Sequence, residues 1–255
     1  MNSRIIALAN QKGGCGKTTT AVNLAAGLVI KRKKVLFIDV DPQANASIAF
    51  DIDIANINNS VADLIHQKDL GIRECIVQTQ GLDMIPSTLH LSILQKELYG
   101  MTKGELTLTR KVEEMDGEYD FIIIDTPPSF GPLINLALNA CKEIFIPVST
   151  GFYSLIGLKE LLTEINLIKQ TNRDATISGV VVTFFENTLL SRDIYEKVKL
   201  EFKDKVFKTK IRKNVRLAEA PSHHMSIFAY DPRSIGAQDY EALTKEVIKW
   251  PEKRD

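Results

Sequence analysis

Cysteine, tryptophan, net charge and long apolar runs are all scarce in this chain, and each shortage narrows what it can do. Its three cysteines, Cys15, Cys75 and Cys141, show no Cys-x-x-Cys spacing, which argues against a disulfide framework and for a reducing, cytoplasmic setting. The adjacent His223 and His224 lack a third ligand at useful spacing, so no metal role is expected of them. The single tryptophan, Trp250, offers no stacking platform for nucleic-acid bases. No stretch reaches the roughly 18 apolar residues of a membrane helix. The opening MNSRIIALANQKGG has an apolar run too short for a signal-peptide core. Lys plus Arg and Asp plus Glu each count 32, so contact with a polyanion must come from a local patch.

What is present is ample apolar material. A chain of 255 residues, 44% hydrophobic, is expected to form a single domain over residues 1–255. Runs rich in Ile, Val and Phe at 4–10, 34–40, 120–126, 143–149 and 177–185 read as strands apolar on both faces, the mark of a parallel sheet. Helical spacing fills 17–31, 103–116, 132–140, 154–170 and 190–203. Residues 51–100 are less periodic and predict a short strand near Asp83–Pro86 among helices and loops. The alternation predicts an α/β fold: a doubly wound, mostly parallel sheet flanked by helices, with ligands beyond the carboxyl ends of the strands.

Polar motifs follow three of those strands. The first leads into QKGGCGKTTT and then a good helix, an arrangement that aims backbone N–H groups at a polyphosphate. Gly13, Gly14 and Gly16 let the backbone of this loop approach the anion. Lys17 would reach the β and γ phosphates, and Thr18 would offer its hydroxyl to Mg²⁺. Cys15 and Thr19 complete the nucleotide-contacting run. The usual phosphate-loop pattern wants glycine at position 11, where this chain has Gln11, with a second lysine, Lys12, beside it. KVLFIDVDPQ ends a strand on Asp39 and Asp41, and DFIIIDTPP ends another on Asp125. A carboxylate carried to a strand's end is how a phosphate-loop ATPase holds Mg²⁺ and its water. Taken alone, any one such aspartate reads more readily as a helix cap or Asx turn, and it is two such motifs after this loop that favour the site.

The deviant loop, the two aspartate motifs and the later IRKNVRLAEAPSHHMSIFAYDPRSIGA resemble the ParA/MinD superfamily of P-loop ATPases, and within it the ParA (Soj) DNA-partition type, from Ile5 to about Val247. The resemblance implies ATP and Mg²⁺ as cofactors and a homodimer when ATP is bound, with Lys12 reaching the partner's phosphates. It makes Lys12, Lys17 and Asp41 the catalytic set, Asp41 positioning the water. Asp125 matches the Walker B aspartate, Thr126-Pro127-Pro128 the γ-phosphate switch, and Asp39 lies near the metal with Thr18. Pro221, in the EAPS segment, would lie near the adenine. It further implies non-specific DNA binding by the ATP dimer, a ParB-type partner that stimulates hydrolysis, and association with the nucleoid when ATP is bound. Relatives with an N-terminal helix-turn-helix bind operators; here the first strand begins by residue 4, so operator binding is not expected.

DNA contact is expected from residues 192–216, where ten cations face four acids. Arg192, Lys210, Arg212, Lys213 and Arg216 are the candidates, against the alternative of a solvated helix face and a lysine-rich edge strand. Where many relatives read D-x-R-T-x-L, this chain has Glu186, Asn187, Thr188, Leu189 and Leu190, so one arginine is absent and Arg192 or Arg212 would compensate. A MinD-like membrane ATPase would end in an amphipathic helix, whereas this chain ends KWPEKRD, so no membrane partner is expected. A nitrogenase-type iron protein would place a cysteine soon after DTPPSFG, and none is there. A nucleotide-binding scaffold without hydrolysis is the remaining alternative, and the aspartates argue against it.

Overall fold

A computed structural model of the chain describes residues 2–98, 104–129, 131–151 and 154–250. The described strands are β1 (Arg4–Leu8), β2 (Val35–Asp39), β3 (Val77–Thr79), β4 (Leu82–Ile85), β5 (Phe121–Asp125), β6 (Glu143–Ser149), β7 (Thr176–Phe185) and β8 (Val206–Arg212). The helices are α1 (Lys17–Ile30), α2 (Asn45–Ala49), α3 (Val61–His66), α4 (His90–Leu98), α5 (Thr107–Glu113), α6 (Pro132–Ala140), α7 (Ser154–Ile168), α8 (Leu189–Phe202), α9 (Arg216–Glu219), α10 (Ile227–Tyr230) and α11 (Ile235–Lys249).

The strands form one sheet in the order β3-β4-β2-β5-β1-β6-β7-β8, parallel throughout except for the β3–β4 pair. Burial on both faces follows from the apolar runs. Ile5, Ala7, Ile122 and Ile124 enter the core on one side, while Ile6, Leu8, Phe121 and Ile123 enter the core on the other, as the two-residue period of a strand requires. The second of these cores packs α1 and α11 against the sheet through Leu24, Leu28, Tyr240 and Leu243.

The five expected strands and the short one near Asp83 are all present, and the sheet is mostly parallel as the alternation predicts. Three details differ. β3 has no apolar run to announce it: Val77, Gln78 and Thr79 are half-buried or exposed, and the strand exists because it pairs with β4 at the sheet's edge. The helix expected over 103–116 is split into a 3-10 turn, Gly104–Leu106, and α5, with residue 103 outside the described residues. The C-terminal segment, which shows in the sequence only as a motif, forms the helices α9, α10 and α11. The Ser234 hydroxyl caps α11 by accepting from the Ala237 N–H at 3.1 Å. Pro251 and the tail after it lie outside the described residues.

β8 is the outer strand on the other side, and its free edge is closed by two acids from α11. Glu246 accepts from the N–H groups of Lys208 and Thr209 at 2.7 and 3.0 Å, and Asp239 accepts from that of Arg212 at 2.9 Å. The seven-residue interval between the acids puts both on one helix face. Phe207 packs beneath β8 only because residue 179 on β7 is glycine: a Cβ there would lie 2.5 Å from Phe207 and 2.9 Å from Phe145. Gly179→Ala is therefore expected to destabilise the fold by about 1–3 kcal/mol, through forced repacking. Urea unfolding followed by circular dichroism measures it.

Candidate active site

The loop after β1 is held by its neighbours before any ligand arrives. Asn10 donates from Nδ2 to the Pro147 carbonyl at 2.6 Å and accepts from the Lys12 N–H at 3.0 Å. Thr183, near the end of β7, donates to the Cys15 carbonyl at 2.8 Å, and Thr126, just past β5, donates to the Leu8 carbonyl at 2.6 Å. Gly14 and Gly16 have φ of +69° and +87°, which only glycine adopts without strain. α1 then begins with no side-chain cap and no acid in its first turn, so its leading N–H groups and positive dipole end remain available to an anion.

Two lysines serve this loop differently. Lys17 is buried, and its Nζ donates to the Lys12 carbonyl at 3.3 Å. Lys12 sends its Nζ away to the Ser154 hydroxyl at 3.1 Å, and Ser154 shares a second hydrogen bond with Ser149 at 2.8 Å. Cys15 is buried behind the loop, and that burial pushes its thiol pKa up.

Asp39 and Asp125 share one rung of the β2–β5 ladder, and both are fully buried. Their environments part there. Asp39 accepts the N–H of Asp41 at 3.0 Å on one oxygen, and the N–H and hydroxyl of Ser47 at 2.9 and 2.8 Å on the other. Burial still lifts its pKa to about 6, against those hydrogen bonds. Asp125 has no hydrogen-bond partner on either oxygen among the described residues. Burial, then the neighbouring Asp39, push its carboxyl well above the usual range; the Thr18 side chain, nearby but short of hydrogen-bond geometry, and Lys17 pull the other way.

A buried, unpartnered carboxylate beside a threonine hydroxyl has the chemistry of a hard-cation site. No group of three or more His, Cys, Asp or Glu among the described residues is arranged to hold a metal by itself. The donor set is thus the incomplete one that suits Mg²⁺, whose other positions go to phosphate oxygens and water. Asp41 lies close by in the turn after β2: one oxygen accepts the Gln43 N–H at 2.9 Å, and its carbonyl accepts the Ala44 N–H at 2.9 Å.

Beyond the loop, a cleft of about 410 Å³ is lined by Thr18, Thr19, Asn23, Ile48, Pro221 and Met225. Pro221 belongs to a 3-10 turn, Ala220–His223, anchored where His224 Nδ1 donates to the Ile48 carbonyl at 2.9 Å. Asn23 of α1 accepts the Ile227 N–H at 2.7 Å, tying the following segment to the same helix. A smaller cavity of about 90 Å³, between Gly16, Thr19, Phe184, Asn214 and Tyr240, lies on the loop's other side. His223 stacks on Tyr230 at 5.0 Å.

The candidate DNA cations are not alike. Arg212 forms a two-pronged ion pair with Asp239, with contacts of 2.6 to 3.1 Å, and so fastens β8 to α11. Lys213 lies 3.4 Å from Glu186, and Arg216 pairs with Glu219 at 2.8 Å and Asp231 at 3.6 Å. Lys210 rests its ammonium over the rings of Tyr195 and Phe185, at 3.9 and 5.0 Å. The guanidinium of exposed Arg192 bonds only the neutral Asn187 side chain among its described partners, at 2.5 Å.

The structure thus gathers Gly13, Gly14, Gly16, Lys17, Thr18, Thr19, Asp39, Asp41, Asp125 and Pro221 around one region, with Lys12 directed to α7. Sequence reasoning missed Asn10, Ser47, Ser154, Thr183 and Asn23. Each is a small polar residue whose partner lies on another element, so no spacing signals it. The raised carboxyls set a pH dependence. A carboxyl whose pKa is higher folded than unfolded keeps its proton longer in the folded state, so the contribution of these two to stability falls as pH rises above about 4. Asp125→Asn is expected to raise the melting temperature of the nucleotide-free protein at pH 7 and flatten its decline with pH. Calorimetry from pH 4 to 8 checks both.

A family profile described as AAA domain matches residues 3–177. The sporulation initiation inhibitor protein Soj of Bacillus subtilis is 45% identical over 96% of this chain and 98% of its own length. The chromosome-partitioning ATPase Soj of Treponema pallidum is 38% identical over 96% and 97%. Among solved structures, cobyrinic acid a,c-diamide synthase from Mycobacterium smegmatis with bound ADP and magnesium superposes with a TM-score of 0.84 at 27% identity, covering 97% of this chain and 94% of that one. With likeness of this extent running through the loop, both aspartate strands and the C-terminal segment, the chain belongs to the Soj/ParA family of chromosome-partitioning ATPases.

Proposed function

We propose that the chain is an Mg²⁺-dependent ATP hydrolase that dimerises on ATP, binds DNA without sequence preference as the dimer, and lets go when a ParB-type partner stimulates hydrolysis. One observation carries the nucleotide half of this reading: the Asp125 carboxylate, buried without a partner, sits beside Thr18 and Lys17 at the uncapped start of α1. An enclosed charge left unpaired is costly, and a metal-bound phosphate group removes the cost.

Each residue then has a task. The N–H groups of Gly13 through Thr19 bind the phosphates, with the nucleoside beyond Thr19 against Pro221. Lys17 leaves the Lys12 carbonyl for the phosphate oxygens, whose charge it stabilises as the terminal bond breaks. Thr18 and Asp125 would hold Mg²⁺, which when bound supplies charge neutralisation on the phosphates. Asp41 orients the attacking water through the oxygen that has no hydrogen bond among the described residues. Lys12 exchanges Ser154 for the phosphates of a second copy of this chain.

For DNA, Arg192 is the better substitute for the missing arginine, because Arg212 is already committed to Asp239. The bound-DNA state is nucleoid-associated, and no helix among the described residues is long and apolar enough to cross a membrane.

Lys17→Ala is expected to lower ATP turnover by roughly 100-fold or more, whereas Asp41→Ala keeps ATP bound while turnover falls. Phosphate release and equilibrium binding of a fluorescent ATP analogue separate the two, and normal hydrolysis by Asp41→Ala would remove Asp41 from its role. Co-sedimentation with DNA in ATP, in ADP and without nucleotide, across a salt series, tests the rest. Retention should require ATP and weaken steeply with salt, and Arg192→Ala should shallow the log–log salt slope by about one unit for every sequence tried. Equal retention in ADP would count against the switch.

A further inference from the structure

The family resemblance implies a place near the metal for Asp39, and the hydrogen bonds around it point inward to its own turn. Its carboxylate accepts three described hydrogen bonds: the Asp41 N–H on one oxygen, and the Ser47 N–H and hydroxyl on the other. The Ser47 hydroxyl is itself oriented, because while its proton goes to Asp39 its oxygen accepts the Ser87 N–H at 3.0 Å. Residues 39 to 47 therefore make an arc whose two ends close on one buried carboxylate. Inside the arc, Ala44 has φ of +53°, a left-handed conformation costing a side-chain-bearing residue about 1–2 kcal/mol, so the turn must be held in place by its surroundings. Asp41 is pinned at its N–H, its carbonyl and one carboxylate oxygen.

We propose that Asp39 and Ser47 form a positioning clamp that fixes the direction in which Asp41 presents its remaining carboxylate oxygen. The proposal rests on the reading of Asp41 as the residue that orients the attacking water. Neither clamp residue touches the reacting atoms. Their effect passes through Asp41, where a displacement of about 1 Å is enough to cost up to a hundredfold in rate. Asparagine cannot replace Asp39, because an amide nitrogen would meet one of three donors. Threonine can replace Ser47, since it keeps the hydroxyl.

A double-mutant cycle decides the matter. ATP turnover is measured for wild type, Ser47→Ala, Ser47→Thr, Asp39→Asn, Asp41→Ala and the Ser47→Ala/Asp41→Ala pair, alongside equilibrium binding of a fluorescent ATP analogue. The expected result is a roughly tenfold fall in kcat for Ser47→Ala, with analogue affinity within about twofold of wild type and activity restored by Ser47→Thr. In the Asp41→Ala background, Ser47→Ala should cost nothing further, since the residue through which it acts is gone. An equal loss in both backgrounds, or a change confined to KM, overturns the clamp. Should Ser47→Ala fail to fold, Asp39→Asn, alone and combined with Asp41→Ala, carries the same comparison. A wild-type protein with no ATP turnover would defeat the ATPase reading itself, whereas normal wild-type turnover with an indifferent Ser47→Ala defeats the clamp alone.

Discussion

Two carboxylates on adjacent strands at one rung of a parallel sheet, both out of reach of water, are the constraint around which this molecule is arranged. Neighbouring strands lie about 4.8 Å apart, so the charges of Asp39 and Asp125 oppose each other unless each finds compensation. Asp39 finds it within its own turn, from Asp41 and Ser47. Asp125 finds none among the described residues and is left facing Thr18 and Lys17. That asymmetry separates two strand-end acids into one satisfied carboxylate and one without partners.

The loop opposite Asp125 is prepared rather than loose. Contacts from β6, β7 and the segment after β5 hold its carbonyls and the Asn10 side chain, while Gly14 and Gly16 take up the left-handed turns. The Lys12 N–H is taken by Asn10, whereas α1 starts with no side-chain cap, so the donors open to an anion are those at the head of the helix. Lys17 curls onto a loop carbonyl and Lys12 onto Ser154, so both ammonium groups are held by neutral partners on either side of the loop.

Much of the fold was legible in sequence. The runs around FIIID, VLFID and EIFIPVS are buried on both faces, which only a covered parallel sheet achieves, and helices of matching length lie between them. β3 was not legible, because a three-residue edge strand with one side chain exposed and two half-buried carries no periodic signal. The cations of 192–216 were legible as a local excess, but not in their division of labour. Arg212 closes an ion pair with Asp239, 27 residues away in sequence, so its role belongs to the packing of α11 on β8.

By itself, the amino-acid order determined the strand and helix alternation, the glycine loop at the head of α1, and the delivery of Asp39, Asp41 and Asp125 to strand ends. These are local matters of periodicity, backbone freedom and spacing along one element. Only the tertiary structure decided which aspartate is satisfied and which is not, that Lys12 turns to α7, and that Ser47 closes an arc on Asp39. Those outcomes depend on hydrogen-bond partners and burial supplied by other elements, and a carboxylate's chemistry is set by its neighbours in space rather than in sequence.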